Sequence, residues 1–461
     1  MRAESYQNVV IGSGEAGKFM GWTRARLGER TVVVERSNVG GACPNVACLP
    51  TKNVIHSAKI VALAGAAADL GLAAPPARID MRGVIARKNK MVAGLAELHA
   101  RLFKESGAEL WMGEARFVEP KTVSVALNAG GTRVLIGERV FIAVGSRAAI
   151  PPVPGLAESH PLTHVEALDL EQLPEHLVVL GGGYVGLEFA QALRRFGSRV
   201  TIIQSGEQLL DREDADVAAA MLELMRDEGV EVLLQTEVTQ VSGRSGESVR
   251  LELRSAEATR TIDATHILVA TGRRPNTDRL DLEKAGVELD ARGYVRVNER
   301  LETTAGGVWA MGDCAGSPQF THVSFDDFRI VRDNLAGGRR TTRGRLIPYC
   351  LYTDPELVHV GLSERAANAA GVAYRLARLP MAAIMRTRTT GEARGFLKAL
   401  VGEDDRILGF TALGAEASEL LAGAQAAMQA GAPFTTLRDA IFAHPSLAEG
   451  LSALFANVPI A

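Results

Sequence analysis

Residues 8–35 read NVVIGSGEAGKFMGWTRARLGERTVVVE. Asn8 to Ile11 is a short apolar run of the kind that forms a strand buried on both faces. It ends in Gly12-Ser-Gly14-Glu-Ala-Gly17; a helical stretch then runs to about Leu27, and a second strand, Thr31 to Val34, closes on Glu35. Strand, glycine turn, helix and strand make one βαβ unit. The three glycines have separate tasks. Gly12 allows the tight turn, Gly14 lets backbone approach a pyrophosphate, and Gly17 lets helix and strand pack closely while the helix N-terminus faces the phosphates. Glu35 stands where an acid accepts from a ribose 2'-hydroxyl.

The arrangement returns. Leu177 to Leu180 leads into Gly181-Gly-Gly183-Tyr-Val-Gly186, then a helix, then the strand Val200 to Ile203 and Gln204. Glu35 lies 23 positions after Gly12, and Gln204 lies 23 positions after Gly181. Two units in matching register predict an α/β chain with two doubly wound, Rossmann-like dinucleotide-binding domains, and so two dinucleotides exchanging electrons. Val140 to Val144 ends in Gly145-Ser146, and Pro151 to Pro154 reads as a stiff linker. A related strand, His266 to Ala270, ends in Thr271-Gly272. Ser242 to Arg260 is polar and alternates weakly, which predicts an exposed hairpin. After Gly337 to Arg340 the texture changes to strand-like segments and two Ala-rich helical stretches, a separate α+β domain.

A chain of 461 residues suggests about three domains. It is long enough to bury a core without staples, so four cysteines are not a secreted disulfide framework. A formal net charge of -3 gives no electrostatic reason to expect nucleic acid or an acidic membrane surface. With no apolar signal core and no stretch of roughly 18 apolar residues, the expectation is a cytoplasmic protein without a membrane span.

Residues 40–52, GGACPNVACLPTK, place two of the four cysteines five positions apart. They could be ligands, a bridge, reactive thiols or coincidence. Cys-x4-Cys is not a usual zinc spacing and no second pair completes four ligands, so no metal site is expected. On an ideal helix, positions five apart have Cα atoms roughly 8.7 Å apart, beyond the reach of a disulfide. A bridge would require Cys43 off the helix axis, Cys48 in the first turns and Pro44 at the first helical position. A helix N-terminus also lowers a thiol pKa. This reading favours a redox pair at a helix start.

GxGxxG…E, GGxCxxxxCxPxK, the second GxGxxG with Glu188, Gly312-Asp313 and HPSLAE at 444–449 together resemble the flavoprotein disulfide reductases, which include dihydrolipoamide dehydrogenase, glutathione reductase and mercuric reductase. The resemblance spans essentially the whole chain. It implies FAD on residues 1–150, completed by 271–340, contacted by Gly12, Gly14, Gly17, Glu35, Lys52, Gly145 and Asp313. It implies NAD(P)H on residues 151–270, at Gly181, Gly183, Gly186 and Gln204, together with Gly272. Hydride would pass to the flavin and on to a Cys43–Cys48 disulfide, with Cys48 against the flavin and Cys43 attacking substrate. Lys52, paired with Glu188, would stabilise the anionic reduced ring. Residues 341–461 would form a dimerisation domain, and His444, oriented by Glu449, would serve as acid–base for the cysteines of the partner in a homodimer. An imidazole suits that exchange of protons. Taken alone, Ser446-Leu-Ala-Glu449 is also a capping box and His444 a loop histidine.

Departures from the family pattern narrow the substrate. The C-terminal cysteine pair of mercuric reductase is missing, and no cysteine follows Cys350. Ala47 replaces the glycine usual before the second cysteine, as in the ketopropyl-coenzyme M carboxylase branch, but that branch lacks the Lys and His retained here. The segments GDCAGSPQFTHVSFDDFRIVRDNL and LRDAIFAHPSLAEGLSALF look most like the mercuric-reductase-like flavoproteins of hypochlorite response and copper reduction. Cys314 and Cys350 read as buried small hydrophobes. The expected acceptor is a small disulfide or dithiol, or a metal ion. Dihydrolipoamide dehydrogenase is the enzymatic alternative, and a flavin-bound redox sensor with little turnover the alternative of another class. Gln204, neutral where Glu35 is acidic, and the nearby Arg212 leave both NADH and NADPH usable.

Overall fold

The computed structural model describes residues 3–73, 78–256 and 258–460. The first βαβ unit forms as read: strand Glu4–Ile11, helix Glu15–Arg26, strand Thr31–Glu35. Thr31–Glu35 is buried at every position, as a strand covered on both faces requires. It pairs in parallel with Glu4–Ile11 and with the start of strand Glu109–Glu119. Glu4–Ile11 pairs in parallel with Thr132–Ile142, which pairs in turn with Val308–Ala310. An antiparallel meander through Thr122–Leu127 joins Glu109–Glu119 to Thr132–Ile142. Residues near 310 thus complete a sheet begun at residue 4.

The second unit builds its own parallel sheet, His266–Val269, His176–Leu180, Arg199–Ile203 and Glu231–Leu233 in that order. Its glycines repeat the geometry of the first. A Cβ on Gly12 would lie 2.4 Å from the Ala143 oxygen, and one on Gly181 2.6 Å from the Ala270 oxygen. A Cβ on Gly17 would lie 2.0 Å from the Gly12 oxygen, and one on Gly186 2.2 Å from the Gly181 oxygen. Any side chain there would push the helix off its strand.

Residues 242–256 and 258–260 form an antiparallel hairpin as expected, but one of its faces is covered. They belong to a three-stranded antiparallel sheet, Glu237–Arg244, Ser248–Arg254 and Thr259–Ala264. Val249, Leu251 and Leu253 point inward from alternate positions and pack on Val178, Leu180 and Ile267. Three inward residues in seven were enough to anchor the sheet, and the charged outward ones disguised them.

The C-terminal part is a five-stranded antiparallel sheet, Tyr349–Leu351, Glu356–Gly361, Ile407–Gly414, Phe396–Val401 and Arg375–Pro380. Its apolar face packs on helices Ala417–Gln429 and Glu449–Ala456. It joins the second unit through a buried ammonium. Lys398, fully buried, lies 2.8 Å from Asp214, 2.8 Å from Asp216 and 3.0 Å from Glu364. Those three carboxylates converge as metal ligands would, and the lysine occupies the space among them. Among the described residues, no helix is long and apolar enough to cross a membrane.

Candidate active site

The cysteine turn is built by two prolines and two glycines. Short helix Ala42–Val46 carries Cys43, and a second helix, Cys48–Gly65, starts at Cys48. Ala47 between them is non-helical, with φ -136° and ψ -102°. Pro50 explains the break: it has no N–H for the Val46 carbonyl, and its ring would strike that oxygen in a continuous helix. Cys43 lies off the helix that starts at Cys48, as expected, but the expectation of Pro44 at the first helical position is corrected. Cys43 and Pro44 are the second and third residues of their own short helix, and after the break at Ala47 each thiol still shifts the ionisation of the other. Gly41, at φ +80°, abuts the first glycine turn so closely that a Cβ would lie 2.4 Å from the Gly14 Cα.

Both thiols are free in this state. The hydrogen bond from Cys43, the Thr321 hydroxyl and the Lys52 charge lower the Cys48 thiol against the opposing effect of burial. Cys43 is pushed up, first by its hydrogen bond to Cys48 and then by burial. Both shifts favour Cys48 over Cys43 as the site of a thiolate. Thr321, first residue of helix Thr321–Leu335, lies 3.4 Å from Cys48 Sγ. Sequence reasoning passed over it, because a threonine 273 positions away carries no local signal.

One turn beyond Cys48, Lys52 Nζ donates to both Glu188 oxygens and sits 4.8 Å over the Tyr352 ring. Glu188 also accepts from the Tyr352 amide at 2.9 Å. Tyr352 was likewise not anticipated.

Glu35 accepts from the Ser13 amide at 3.0 Å and hydroxyl at 2.7 Å, and from the Ser37 and Asn38 amides at 2.9 and 3.2 Å. The carboxylate is thereby fixed against the glycine turn. Gln204 repeats the geometry, its Oε1 accepting from the Gly182 amide at 2.9 Å. The helices that follow, capped by Gly14 and Gly183, have no side-chain cap. Their terminal amides are available to phosphate oxygens, and the glycine cradle leaves room for them, so the residues present fit FAD at the first unit and NAD(P)H at the second. Asp313 accepts from the Ser146 hydroxyl, which also accepts from Arg273 Nε at 2.8 Å. Gly145 and Gly272 flank this cluster at φ +65° and +131°.

His444 and Glu449 come together: Nδ1 lies 2.9 Å from Oε1, and Glu449 Oε2 accepts from the Ser446 amide at 3.0 Å. Those two bonds, the amide first, hold the Glu449 carboxyl below its usual range. Only half of a capping box is present, because Ser446 Oγ has no partner and the helix starts at Glu449 itself. His444 is 66% exposed and makes no hydrogen bond to the cysteine turn of its own chain. Cys314 is buried, which pushes its thiol up to about 12, and burial also raises Cys350.

Comparison with known proteins agrees with this layout. Residues 6–327 match the family described as pyridine nucleotide-disulphide oxidoreductase, and residues 347–454 match its dimerisation domain. The chain is 37% identical over 460 residues to an Escherichia coli protein described as probable pyridine nucleotide-disulfide oxidoreductase RclA, covering 98% of this chain and 99% of that one. It is 36% identical to a dihydrolipoyl dehydrogenase of Thermus scotoductus, covering 97% of this chain and 96% of that one. Among solved structures, the Cu(II) complex of the HOCl-induced flavoprotein disulfide reductase RclA from Escherichia coli superposes with a TM-score of 0.89 at 36% identity, covering 98% of this chain and 99% of that one.

Proposed function

Because the chain belongs to the pyridine nucleotide-disulfide oxidoreductases, FAD-dependent enzymes that use NAD(P)H, we propose that it passes electrons through Cys43 and Cys48 to a small disulfide or dithiol, or to a metal ion. In this reading residues 1–150 and 271–340 hold FAD, 151–270 hold NAD(P)H, and 341–461 form a homodimer. Gly12, Gly14, Gly17, Glu35, Lys52, Gly145 and Asp313 hold FAD. Gly181, Gly183, Gly186, Gln204 and Gly272 hold the nicotinamide cofactor. FAD, when bound, supplies the two-electron relay between nicotinamide and cysteines.

The observation that carries this reading is the setting of Cys48, its Sγ 3.4 Å from the Thr321 hydroxyl and one helical turn from the Lys52–Glu188 pair, which favours ionisation of this thiol over Cys43. Reduced, the pair stores two electrons as thiolate and thiol. Cys43 yields its proton to His444 of the partner subunit and attacks one sulfur of the substrate disulfide. The protonated imidazole then protonates the departing thiolate. The Cys48 thiolate attacks Cys43 in the mixed disulfide and expels the second substrate sulfur as a thiolate, which takes its proton from solvent, leaving Cys43–Cys48 oxidised. Glu449 keeps the His444 ring oriented through Nδ1. A metal ion is the second reading for the acceptor, and the Cu(II) complex of the RclA relative favours it. A cytoplasmic setting fits a dithiol recharged from NAD(P)H.

The test is NADH- and NADPH-driven turnover with lipoamide, glutathione disulfide, Hg(II), Cu(II) and quinone, in wild type and Cys43→Ser. One thiol-reactive acceptor should stand out and should fail in the variant. Undiminished turnover of every acceptor by Cys43→Ser would refute the proposal.

A further inference from the structure

We propose that Glu237 and Arg254 decide between NADH and NADPH, an assignment that rests on reading the second βαβ unit as the nicotinamide-cofactor site. Strand Arg199–Ile203 delivers Gln204, and the next three residues, Ser205, Gly206 and Glu207, form one wall of a surface concavity of about 440 Å³. Gln235, Glu237, Arg254 and Ser255 complete its lining. Main-chain bonds hold the lining in register, Gln235 N to Gly206 O at 2.9 Å and Thr236 N to Gln204 O at 3.1 Å.

Gln204 is spent on the Gly182 amide and carries no charge, so it cannot by itself recognise a 2'-phosphate. The cation in the lining is Arg254, from strand Ser248–Arg254, and not Arg212, whose charge acts on Tyr184. Arg254 Nη2 donates to Glu237 Oε2 at 2.8 Å. Glu207 and Glu237 set two carboxylates against one guanidinium, and that balance repels a phosphate while leaving a ribose hydroxyl unaffected. The Arg254 and Glu237 side chains are 65% and 59% exposed. Such a pair is weak, so a phosphate and Glu237 compete for the same guanidinium fork. Removing the Glu237 charge would free the fork and reverse the local charge balance together.

The test compares kcat/KM for NADH and NADPH, and calorimetric binding of NAD+ and NADP+, in the FAD-loaded dimer of wild type, Glu237→Gln, Arg254→Gln and the double variant. The NADPH-to-NADH ratio should rise roughly tenfold in Glu237→Gln, fall below wild type in Arg254→Gln, and return to the Arg254→Gln value in the double variant. The gain should shrink at high ionic strength. A merely structural role would move both cofactors together and leave the ratio fixed. A ratio fixed in both single variants overturns the assignment of this pair. Failure of the underlying reading shows separately, as an NAD+ affinity indifferent to Gln204→Leu.

Discussion

Lys52 Nζ lies 2.9 and 2.8 Å from the two carboxylate oxygens of Glu188, a residue 136 positions away in the chain. Glu188 is only 5% exposed. A carboxylate so far from water requires the ammonium, and the pairing in turn fixes that ammonium one helical turn from Cys48. The ion pair thus places a positive charge in the field of the Cys48 thiol.

Alkylation of the reduced protein by iodoacetamide reads that field. Cys48 is lowered to about 6, so the rapid thiolate reaction should be complete above this pH and lost as pH falls through it. In Lys52→Met the midpoint should rise by roughly one unit, the scale of losing one nearby opposite charge. An unmoved profile would remove Lys52 from the thiolate's surroundings.

The two thiols should part company in single variants. In Cys43→Ser a hydroxyl still donates to Cys48, and peptide mapping should find rapid alkylation there at pH 7. In Cys48→Ser the remaining Cys43 is half-buried and lacks the Lys52 charge that lowers Cys48, and its alkylation should be about tenfold slower or more. Equal rates in the two variants would contradict the placement of the charge on Cys48.

Replacing His444 by Ala should slow disulfide turnover about 10²–10⁴-fold, the range for losing a general acid–base. Metal-ion reduction should lose less, since no thiol departs and needs a proton. Stopped-flow reduction of the flavin by NAD(P)H should retain its rate. Equal losses for every acceptor would mark His444 as structural.

Lys398→Met should destabilise the fold by about 3–5 kcal/mol in urea, because three converging carboxylates lose the cation they share. In the wild type Asp214 is lowered by its bond to Lys398, against the opposing effect of burial. Its contribution is therefore present above the unfolded carboxyl value and lost as pH falls through the folded one. The variant should show the opposite slope: mutual repulsion raises its carboxyls, so stability should recover as pH falls and they protonate. Parallel pH profiles would mean the cluster bears no net strain without the lysine.

The two glycine turns, the strands that enter them and the acceptors Glu35 and Gln204 were all legible from the sequence. Each is defined within about 28 consecutive residues by local sterics and hydrophobic run length, and those act in any context. The cysteine turn was half legible. Spacing alone showed that one continuous helix could not join the thiols, but the break at Ala47 depends on how Pro50 meets Val46. The hairpin at 242–260 was legible but its covered face was not, because three buried side chains in a charged strand look polar on average.

What no window could show was which distant side chains share a space. Thr321 beside Cys48, Tyr352 beside Lys52, Arg254 lining one concavity with Ser205 and Lys398 among Asp214, Asp216 and Glu364 are pairings of residues on separate elements. Charge and hydrogen-bond energies fall steeply with distance, so they belong to the packed chain rather than to its order. The chain order determined two nucleotide-shaped units and a dithiol; the tertiary structure decided where the thiolate's charge rests and what surrounds it.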